Sequence, residues 1–590
     1  MRTASRPTCR RRPLIHDDPA RIAAYRSAGW WGDDSINDLL GRAVAAHPDE
    51  TALVDPTNRA DFGMGPARRL TWRELDDLVE RFATGLLRLG IGRDDIVMAQ
   101  LPNVVELIAA YLAVGRLGAI LSPVPVQYRA HELRYCIDLA GPRAFITTRR
   151  LDGFDHLEQA RSLCAAAPRP LTVIGDAADP LDLPPDVVSL AALLETPPDP
   201  PALAAHRAAA NISADDVFTV CWTSGTEADP KGVPRSHNLW ISIALATVDG
   251  AALQPGDALL CPFPMVNMSG IGGMLFPWLL ASAKLVLHQP MALPVFLGQV
   301  AAERVAYTVV PPILLNLLLL RPQMLEAADL SSIRRIGSGS APLTRWMTTG
   351  WKERHGIDVL NFFGSNEGIA MVAAPPEVDD AGERAELFPR YGTPGFSWTN
   401  RSDRGYETRL VDPASGALIA EPGFPGEMRI KGPTVFAGYF RRRDLTEKAF
   451  DADGYFRTGD LFELAVGSDG QVSRYRFVGR LKDLIIRGGM NIAPEEIELL
   501  LADHPRIADV AVVGYKDRGH LHEEAICVVA VARPDQDLTL SDVADHLKAK
   551  EIAAYKLPKR LWLVPALPRN PVGKVLKREL RAALDHEQAG

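Results

Sequence analysis

Residues 95–126 read DIVMAQLPNVVELIAAYLAVGRLGAILSPVPV. DIVMAQLP is typical of a short buried strand, VELIAAYLAVGRLGAI carries apolar residues at helical spacing, and LSPVPV is extended. Strand-like pieces recur downstream as RAFITT, DVFTVCWTS, DALLCPFP, AKLVLH and AYTVVPP. Because strands that alternate with helices pair in parallel, the pattern predicts an α/β protein with helix-covered, mostly parallel sheets.

The pattern changes beyond residue 405. YETRLVDPASGALIAEPGFPGEMRIKGP is rich in Pro and Gly and predicts a β-rich subdomain, such as a distorted barrel. Pro494 and the two glutamates after it mark a helix start, and ADVAVVGYKD, EAICVVAVARP and LSDVADHLKAK then predict a small α+β unit. We predict a flexible N-terminal tail at 1–30, a large N-terminal domain at 31–480 and a small mobile C-terminal domain at 481–590.

Bulk composition excludes several functional classes. The chain has 590 residues and a net charge of -8, so it lacks the basic surface that nucleic acid binding requires. Its six cysteines form no C-x-x-C pair, which indicates a reducing compartment rather than a disulfide scaffold or zinc site. The Arg-rich start MRTASRPTCRRR precedes no signal-like apolar region, and no apolar run is long enough to span a bilayer. We expect a soluble, cytoplasmic protein.

A candidate phosphate loop lies at 221–237 and reads CWTSGTEADPKGVPRSH. Hydroxyls, a cation and a glycine that lets successive N–H groups converge are the ingredients of a phosphate-binding nest. They are Thr223, Ser224, Gly225, Thr226 and Lys231. The loop lacks the Walker pattern, and such a stretch, taken alone, is more often an ordinary turn.

Five further segments follow in a fixed order. They are GSGSAPL at 337–343, NFFGSNEG at 361–368, YFRTGDL at 455–461, FVGRLKDLIIRGGMNI at 477–492 and NPVGKVLKREL at 570–580. Together with the loop at 221–237, they resemble the signature segments of adenylate-forming ligases. That superfamily contains acyl-CoA synthetases, aryl-acid ligases and the adenylation domains of peptide synthetases. The resemblance covers nearly the whole chain and implies ATP, Mg²⁺ and coenzyme A as cofactors.

The resemblance also implies an ATP and AMP site. Its residues would be Thr223, Ser224, Gly225, Thr226, Lys231, Gly339, Ser340, Ala341, Asn361, Phe362, Phe363, Gly364, Ser365, Asn366, Asp460, Arg480 and Lys574. Asp460 would accept hydrogen bonds from the ribose hydroxyls, and Arg480 would reach the ribose or phosphates. Phe363 would offer a flat face to adenine; taken alone, it is equally well a core aromatic, and an isolated TGD is more often a cap or turn.

Catalytic roles in the resemblance fall to Lys574, Glu367 and Thr223. Glu367 would hold Mg²⁺, which uses only one or two protein carboxylates when it is bound to phosphate. Lys574 would bridge the substrate carboxylate and the α-phosphate, where two anions meet and charge must be neutralised. Lys482 falls at the position of the hinge between two domain orientations.

The other orientation would serve thioester formation. It would present Arg487, Gly488 and Gly489, where glycines let a pantetheine chain approach the backbone closely. The chain departs from the family pattern in the phosphate loop, where Glu227 and Ala228 replace a Ser/Thr-Gly pair. Glu227 either points away or helps to hold Mg²⁺. Asn366 replaces a Thr, which is a mild change because Asn keeps its hydrogen-bonding groups.

The segment PFPMVNMSGIGGML at 262–275 falls where the family's acyl pocket begins. Asn267 stands in place of the usual His, and Met268, Gly272 and Ser338 join it as predicted pocket residues. Amino-acid-activating relatives carry an Asp here, and its absence disfavours an amino acid because a buried ammonium needs a partner. IAAYRSAGWWGDDSINDLL resembles the opening of aryl-acid, cyclohexanecarboxylate–CoA and medium-chain acyl-CoA ligases. We therefore favour a compact, uncharged alicyclic, aromatic or medium-chain acid.

The predicted reaction has two steps. A small-molecule carboxylic acid and ATP give acyl-AMP and pyrophosphate, and coenzyme A then takes the acyl group. One alternative acceptor is the pantetheine of a separate carrier protein. The other alternative is a catalytically inactive nucleotide-binding relative.

Overall fold

The computed structural model describes residues 17–177, 182–223, 230–487, 490–516, 524–550, 552–570 and 574–587. Its strands are β1 Thr51–Val54, β2 Arg69–Thr71, β3 Ile96–Gln100, β4 Ile120–Pro123, β5 Ala144–Thr148, β6 Arg150–Leu151, β7 Phe154–Asp155, β8 Thr172–Asp176, β9 Val188–Ser189, β10 Val217–Thr223, β11 Lys231–Ser236, β12 Ala258–Cys261, β13 Lys284–Leu287, β14 Val305–Val309, β15 Arg335–Gly339, β16 Asp358–Gly364, β17 Ala370–Ala373, β18 Leu387–Pro389, β19 Glu407–Val411, β20 Gly426–Lys431, β21 Phe456–Ala465, β22 Arg474–Arg480, β23 Ile485–Arg487, β24 Met490–Ile492, β25 Ile507–Lys516, β26 Glu524–Ala532 and β27 Arg560–Leu563.

The helices cover these strands. They are α1 Pro19–Ser27, α2 Ile36–Ala46, α3 Trp72–Arg88, α4 Val105–Arg116, α5 Ala130–Ala140, α6 His156–Ala165, α7 Leu190–Leu194, α8 Pro200–Ala210, α9 His237–Gly250, α10 Met268–Gly270, α11 Phe276–Ala281, α12 Leu293–Glu303, α13 Pro312–Leu320, α14 Arg345–His355, α15 Ala381–Glu386, α16 Arg443–Ala449, α17 Pro494–Leu501, α18 Leu540–Ala549 and α19 Lys577–Glu587. A π-helical turn at Ile271–Leu275 joins α10 to α11. None of the described helices is both long and apolar enough to cross a bilayer.

Two mostly parallel sheets form the larger part of the molecule. The first has the order β17-β16-β15-β14-β12-β13-β1-β2, and the second has the order β11-β10-β4-β3-β5-β8-β9. Antiparallel pairs occur only at their edges among the described strands, between β16 and β17, β1 and β2, and β10 and β11. Helix α3 lies against this core and begins at a capping box, in which Thr71 and Glu74 bond each other's main-chain N–H groups. The predicted α/β architecture is confirmed.

The β-rich region is an open antiparallel sheet. Its order is β18-β22-β21-β20-β19, and no pairing joins the outer strands β18 and β19 in the described chain. The expected distorted barrel is therefore wrong, although the β-rich subdomain itself is present. Aromatic side chains such as Phe388, Phe462 and Tyr475 fill the space beneath this sheet. Phe363 of β16 contacts Phe462 of β21 and Phe477 of β22, so these two strands lie beside the first of the parallel sheets.

The C-terminal residues build separate small cores. Strands β25, β26 and β27 form one sheet, and β23 pairs with β24. Apolar residues of α17 and α18 pack on one face of the larger of these sheets, and Leu580 and Leu584 of α19 pack on the other. This is the α+β unit that the sequence predicts, while its boundary at 480 stays a prediction. At the other end of the chain, residues assigned to a flexible tail form α1, whose Tyr25 packs with Trp31 and Leu239.

Candidate active site

Asp460 and Arg480 face each other across adjacent strands. They are register partners in β21 and β22, and Arg480 Nε lies 3.3 Å from Asp460 Oδ1. Asp460 is buried, and this burial raises the pKa of its carboxyl, while Arg480 and then Lys574 oppose the rise. The second carboxylate oxygen, Oδ2, accepts no hydrogen bond from any residue that the structure describes. One acceptor of Asp460 thus remains available for a ligand hydroxyl.

Lys574 lies in the same charged group. Its main-chain N–H donates to Asn570 Oδ1 at 2.8 Å, and its carbonyl accepts from the Asn570 N–H at 2.8 Å, which fixes the start and end of the terminal loop. The pKa of Lys574 is lowered to about 7, mainly because the amine is removed from water and also because the cations Arg480 and Lys482 lie near it, while Asp460 opposes the shift. The structure therefore brings the predicted lysine to the predicted ribose-binding pair.

Glu367 lies on a turn after β16, beside a tyrosine that the sequence analysis did not single out. The Tyr439 hydroxyl donates to Glu367 Oε1 at 3.0 Å. Lys231 Nζ lies 5.3 Å from the centre of the Tyr439 ring, and Lys231 is the register partner of Thr223 across β10 and β11. Tyr439 thus joins the candidate metal ligand to the stem of the candidate phosphate loop. Its only signal in the sequence is its place after Gly438 in PTVFAGYF.

Arg235 is a second residue that the sequence analysis passed over. Its side chain is fully buried, and the guanidinium donates to the main-chain carbonyls of Asn366 at 2.7 Å, Leu239 at 2.9 Å and Thr434 at 2.9 Å. The same group lies 4.7 Å from the Trp240 ring centre. Arg235 therefore ties the Asn366–Glu367 turn to the start of α9.

Asn366 also connects the nucleotide side to the acyl side. Its Oδ1 accepts a 2.8 Å hydrogen bond from the main-chain N–H of Met268. Asn267, which stands in the usual His position, accepts instead from the N–H groups of Ser269 at 3.0 Å and Gly270 at 3.4 Å and so caps α10. Its amide oxygen is used by this cap, and Asn267 is not among the residues lining the cavity described next.

A cavity of about 110 Å³ lies between α9, the segment after Asn267 and the ends of strands β14 to β17. The predicted pocket residues Met268, Gly272 and Ser338 line it. Most of the other lining side chains are apolar, including Ile243, Val309 and Met371. The Ser338 hydroxyl donates to the Val310 carbonyl at 2.8 Å, so Ser338 lines the cavity with its hydroxyl hydrogen already engaged.

The predicted adenine-side residues have mixed environments. Ser340 and Ala341 are exposed, and Ser340 has φ 68°, in the left-handed region that favours glycine. Phe363 lines the cavity but also packs edge-on against Phe462, at 5.0 Å between ring centres. The contact with Phe462 agrees with a core aromatic, and the role of Phe363 as a flat face for adenine stays a prediction.

The other predicted residues of β16, and Gly339 of the neighbouring strand β15, also differ in their surroundings: some bond the protein and others line the cavity. The buried Asn361 donates from its amide to the Ala385 carbonyl at 2.9 Å, while Phe362, Gly339 and Gly364 line the cavity. The Ser365 hydroxyl is buried and has no hydrogen-bond partner among the residues described. Ser365 does not line the cavity, and its role at the nucleotide stays a prediction.

Several predicted residues lie outside the described ranges. They are Ser224, Gly225 and Thr226, with Glu227 and Ala228 beside them, and Gly488 and Gly489. Their roles stay predictions.

The predicted hinge residue Lys482 lies in a short 3-10 turn, Leu481–Asp483, between β22 and β23. Arg581 of α19 donates to the carbonyls of Lys482 at 3.5 Å and Asp483 at 3.1 Å. Arg487, predicted on the coenzyme A side, donates to the carbonyls of Tyr555 at 2.8 Å and Leu557 at 3.0 Å. In this arrangement its guanidinium supports the C-terminal unit.

Comparison with known protein families gives two matches along the chain. The model of the AMP-binding enzyme family matches residues 40–440, and the model of the AMP-binding enzyme C-terminal domain matches residues 496–574. The chain belongs to the AMP-binding enzyme family. The predicted resemblance is thereby confirmed, and the protein is an adenylate-forming enzyme that activates an acid.

The curated relatives of this chain include both a synthase and a CoA ligase. Pyochelin synthase PchD of Pseudomonas aeruginosa is 32% identical, over 96% of both chains. The medium-chain fatty-acid–CoA ligase of Escherichia coli is 29% identical, over 95% of this chain and 92% of the relative.

Solved structures of the AMP-binding enzyme family share this fold. ATP-bound MatB from Rhodopseudomonas palustris superposes with a TM-score of 0.74 at 26% identity, covering 92% of this chain and 98% of that one. The anthranilate CoA ligase AuaEII, in complex with anthranoyl-AMP, gives a TM-score of 0.78 at 22% identity, covering 95% and 99%. The second likeness concerns the fold alone.

Proposed function

We propose that the protein is an AMP-forming acid–CoA ligase that activates a compact, uncharged carboxylic acid. The observation that carries this proposal is the Asn366–Glu367 turn, which contacts both halves of the candidate site. Asn366 holds the main-chain N–H of Met268 at the acyl cavity, and Glu367 bonds Tyr439 beside Lys231. A turn in this place would hold a carboxylic acid and a nucleotide phosphate next to each other.

In the first step, a carboxylate oxygen attacks the α-phosphorus and pyrophosphate leaves. Asp460 would accept hydrogen bonds from the ribose hydroxyls through its available oxygen, Oδ2. Arg480 would orient the carboxylate through the other oxygen, Oδ1, which lies 3.3 Å from its Nε. Lys574 would place its ammonium between the carboxylate and the α-phosphate, and stabilisation aimed at developing charge raises the rate of the step. Thr223 and Lys231 would hold the remaining phosphates.

Glu367 fits a role as a Mg²⁺ ligand. It is a half-buried carboxylate on an open turn, and phosphate-bound Mg²⁺ uses only one or two such ligands. When bound, Mg²⁺ supplies neutralisation of phosphate charge. The part this chain plays is to fix the carboxylate, which the 3.0 Å bond from Tyr439 does.

In the second step, a thiolate attacks the acyl carbonyl and AMP leaves. We propose that the C-terminal unit turns about Lys482 between the steps. Arg581 of α19 bonds the carbonyls of Lys482 and Asp483, so α19 would turn together with the residues that follow the hinge. Coenzyme A is the proposed thiol donor, in keeping with the names of relatives such as the medium-chain fatty-acid–CoA ligase and 4-coumarate–CoA ligase 3 of Oryza sativa subsp. japonica.

The size of the cavity supports a compact acid. Its volume of about 110 Å³ is on the scale of the ~150 Å³ cavity that admits benzene. A long acyl chain needs considerably more room. No Asp or Glu is found among the described residues that line the cavity, so a substrate ammonium would find no partner in them.

A separate carrier protein is the second candidate acceptor. Two relatives are named as synthases rather than CoA ligases, pyochelin synthase PchD at 32% identity and pseudomonine synthase PmsE of Pseudomonas entomophila at 30%. Coenzyme A and a carrier present the same pantetheine thiol, so the two candidates differ in the group that carries this thiol, a nucleotide in one case and a protein in the other.

The test is acid-dependent exchange of labelled pyrophosphate into ATP across a panel of acids, followed by thioester detection. Exchange with a compact acid and formation of its CoA thioester are expected. Transfer to a pantetheinylated carrier, with none to coenzyme A, would replace the first candidate by the second. ATP binding without exchange for any acid would contradict both.

A further inference from the structure

The acyl cavity contains a buried tyrosine hydroxyl with no protein partner. Tyr307 of β14 is 1% exposed and lines the cavity, and its hydroxyl makes no hydrogen bond within the parts of the chain that are described. Buried tyrosine hydroxyls usually have a partner, because an unpaired polar group in an apolar site is costly. Burial also raises the pKa of the Tyr307 phenol well above its ordinary value, so the group is a neutral hydroxyl.

Gly337 of the neighbouring strand makes room for this hydroxyl. A Cβ atom at position 337 would lie 2.4 Å from the Tyr307 oxygen, closer than real contacts allow, and 3.0 Å from the Phe362 ring, which is a tight contact. Any side chain at 337 would therefore displace the phenol. Gly337 therefore leaves the space in which the Tyr307 hydroxyl lies at the cavity wall.

Thr247 offers a second hydroxyl from the opposite wall. It lies on α9, is 3% exposed and lines the same cavity, and its Oγ1 also has no hydrogen bond within the described chain. Most of the other lining side chains are apolar, Ile243, Ala246 and Val309 among them, although three serines also line the cavity, Ser269, Ser338 and Ser340. Two isolated polar groups in an apolar pocket are the usual means of orienting a small ligand.

The depth of Tyr307 indicates which part of a substrate it would meet. Val309 pairs with Gly337, and Tyr307 pairs with Arg335, so Tyr307 lies one side-chain position further from the carboxyl ends of the parallel strands. The Asn366–Glu367 turn follows β16 at those carboxyl ends. An acid whose carboxylate reaches this turn would therefore direct its remote end towards Tyr307.

We infer that Tyr307 is a specificity-determining residue and that the acid carries a hydrogen-bonding substituent remote from its carboxylate, such as a hydroxyl, amino or carbonyl group on a ring. This inference rests on the proposed function and narrows its substrate class. A plain hydrocarbon acid would enclose the Tyr307 hydroxyl without a partner. We expect such an acid to be adenylated roughly 10- to 100-fold less efficiently than its substituted counterpart.

The first test uses the unmodified enzyme and matched acids in the pyrophosphate exchange assay. Benzoate is compared with each hydroxy- and aminobenzoate, and cyclohexanecarboxylate with its hydroxy derivatives. The inference predicts that at least one substituted acid exceeds its parent in kcat/KM by roughly tenfold or more. Parent acids that match or exceed every substituted acid would overturn it, while still supporting acid activation. Exchange with no acid at all would overturn the proposed function and this inference with it.

The second test is Tyr307→Phe, which removes the hydroxyl and keeps the ring. The kcat/KM for the preferred substituted acid should fall roughly 10- to 100-fold, while that for the parent acid is unchanged or rises. A purely structural role would lower both alike, and that result would contradict the inference. Thr308→Val is the matched control. Thr308 is the next residue of β14 and is also buried, but its Oγ1 donates to the Leu260 carbonyl at 2.8 Å. The control should lower thermal stability and leave the ratio between acids unchanged.

Discussion

The guanidinium of Arg235 donates a 2.7 Å hydrogen bond to the main-chain carbonyl of Asn366, the residue before Glu367. Two more carbonyls accept from the same buried side chain. Burial lowers the pKa of Arg235 to about 9, which still leaves the group charged at neutral pH. A buried cation surrounded by carbonyl oxygens therefore fixes the turn that carries the candidate metal ligand.

Replacing Arg235 by Lys should disturb this turn while keeping the charge. A lysine cannot donate to three separate carbonyls in the same plane, and each charge-assisted bond contributes about 1.5–3 kcal/mol. We expect a lower melting temperature and at least a roughly tenfold loss in pyrophosphate exchange. The matched control is Arg443→Lys, since Arg443 is exposed and pairs only with Glu447 among the described residues. Equal behaviour of the two variants would show that Arg235 does not position the turn.

Tyr439→Phe tests whether Glu367 is a metal ligand whose orientation matters. The variant removes the hydroxyl that donates to Glu367 but keeps the ring beside Lys231 and its 4.9 Å contact with Phe436. We expect the Mg²⁺ concentration for half-maximal exchange to rise several-fold, with little change in melting temperature. Tyr455→Phe removes the same atom from an exposed Tyr–Glu pair and should leave the Mg²⁺ dependence as it was. A shift in both variants, or in neither, would count against the role of Tyr439.

The fold was largely predictable because its signals are local. The segment at 95–126 gives strand β3, helix α4 and strand β4, as the periodicity indicates. Only the boundary was misplaced, because α4 ends at Arg116 while the apolar run continues to residue 120. Helix α4 is buried on nearly every side, so its composition does not differ from that of the strand after it. The turn comes at Gly118, whose φ of 64° ends the helix.

The residues of the candidate site could be predicted only where they lie in short, recognisable sequence motifs. Asp460, Arg480 and Lys574 each sit in a recognisable segment, and the structure brings them together. Arg235 and Tyr439 act through partners 131 and 72 residues away, and no local pattern contains such contacts. The unpaired hydroxyl of Tyr307 is likewise a property of the assembled cavity, since AYTVVPP is an ordinary buried strand in the sequence.

Lys574→Ala should separate the two half-reactions. If Lys574 acts only between the carboxylate and the α-phosphate, pyrophosphate exchange should fall by at least roughly a hundredfold. Thioester formation from supplied acyl-AMP should be nearly normal, because the proposed rotation of the C-terminal unit carries Lys574 away from the reacting carbonyl before that step. Lys548→Ala, at an exposed lysine paired with Asp545, is the control for loss of a positive charge in the same unit. Equal loss of both half-reactions would show that the lysine is misassigned.

Lys482→Pro tests the hinge. Proline fixes one backbone dihedral angle in the 481–483 turn, so the C-terminal unit should be held in one orientation. We expect one half-reaction to survive and the other to fall by roughly a hundredfold or more. Lys482→Ala removes the same side chain but leaves the backbone free, and it should not show this asymmetry. Two unimpaired half-reactions in the proline variant would place the hinge elsewhere.

Proton uptake on ATP binding tests the environment of Lys574. In the free protein its pKa is lowered to about 7, so at about pH 8 the side chain is mostly neutral. Triphosphate charges near the amine favour its protonated form and raise its pKa, so binding at this pH should take up protons from the buffer. At about pH 6 the lysine is already protonated, and the uptake should become small. Titration calorimetry in two buffers of different ionisation enthalpy measures the number of protons at each pH. The Lys574→Ala variant should lose the uptake at the higher pH, and an uptake that persists in this variant would assign the proton to another group.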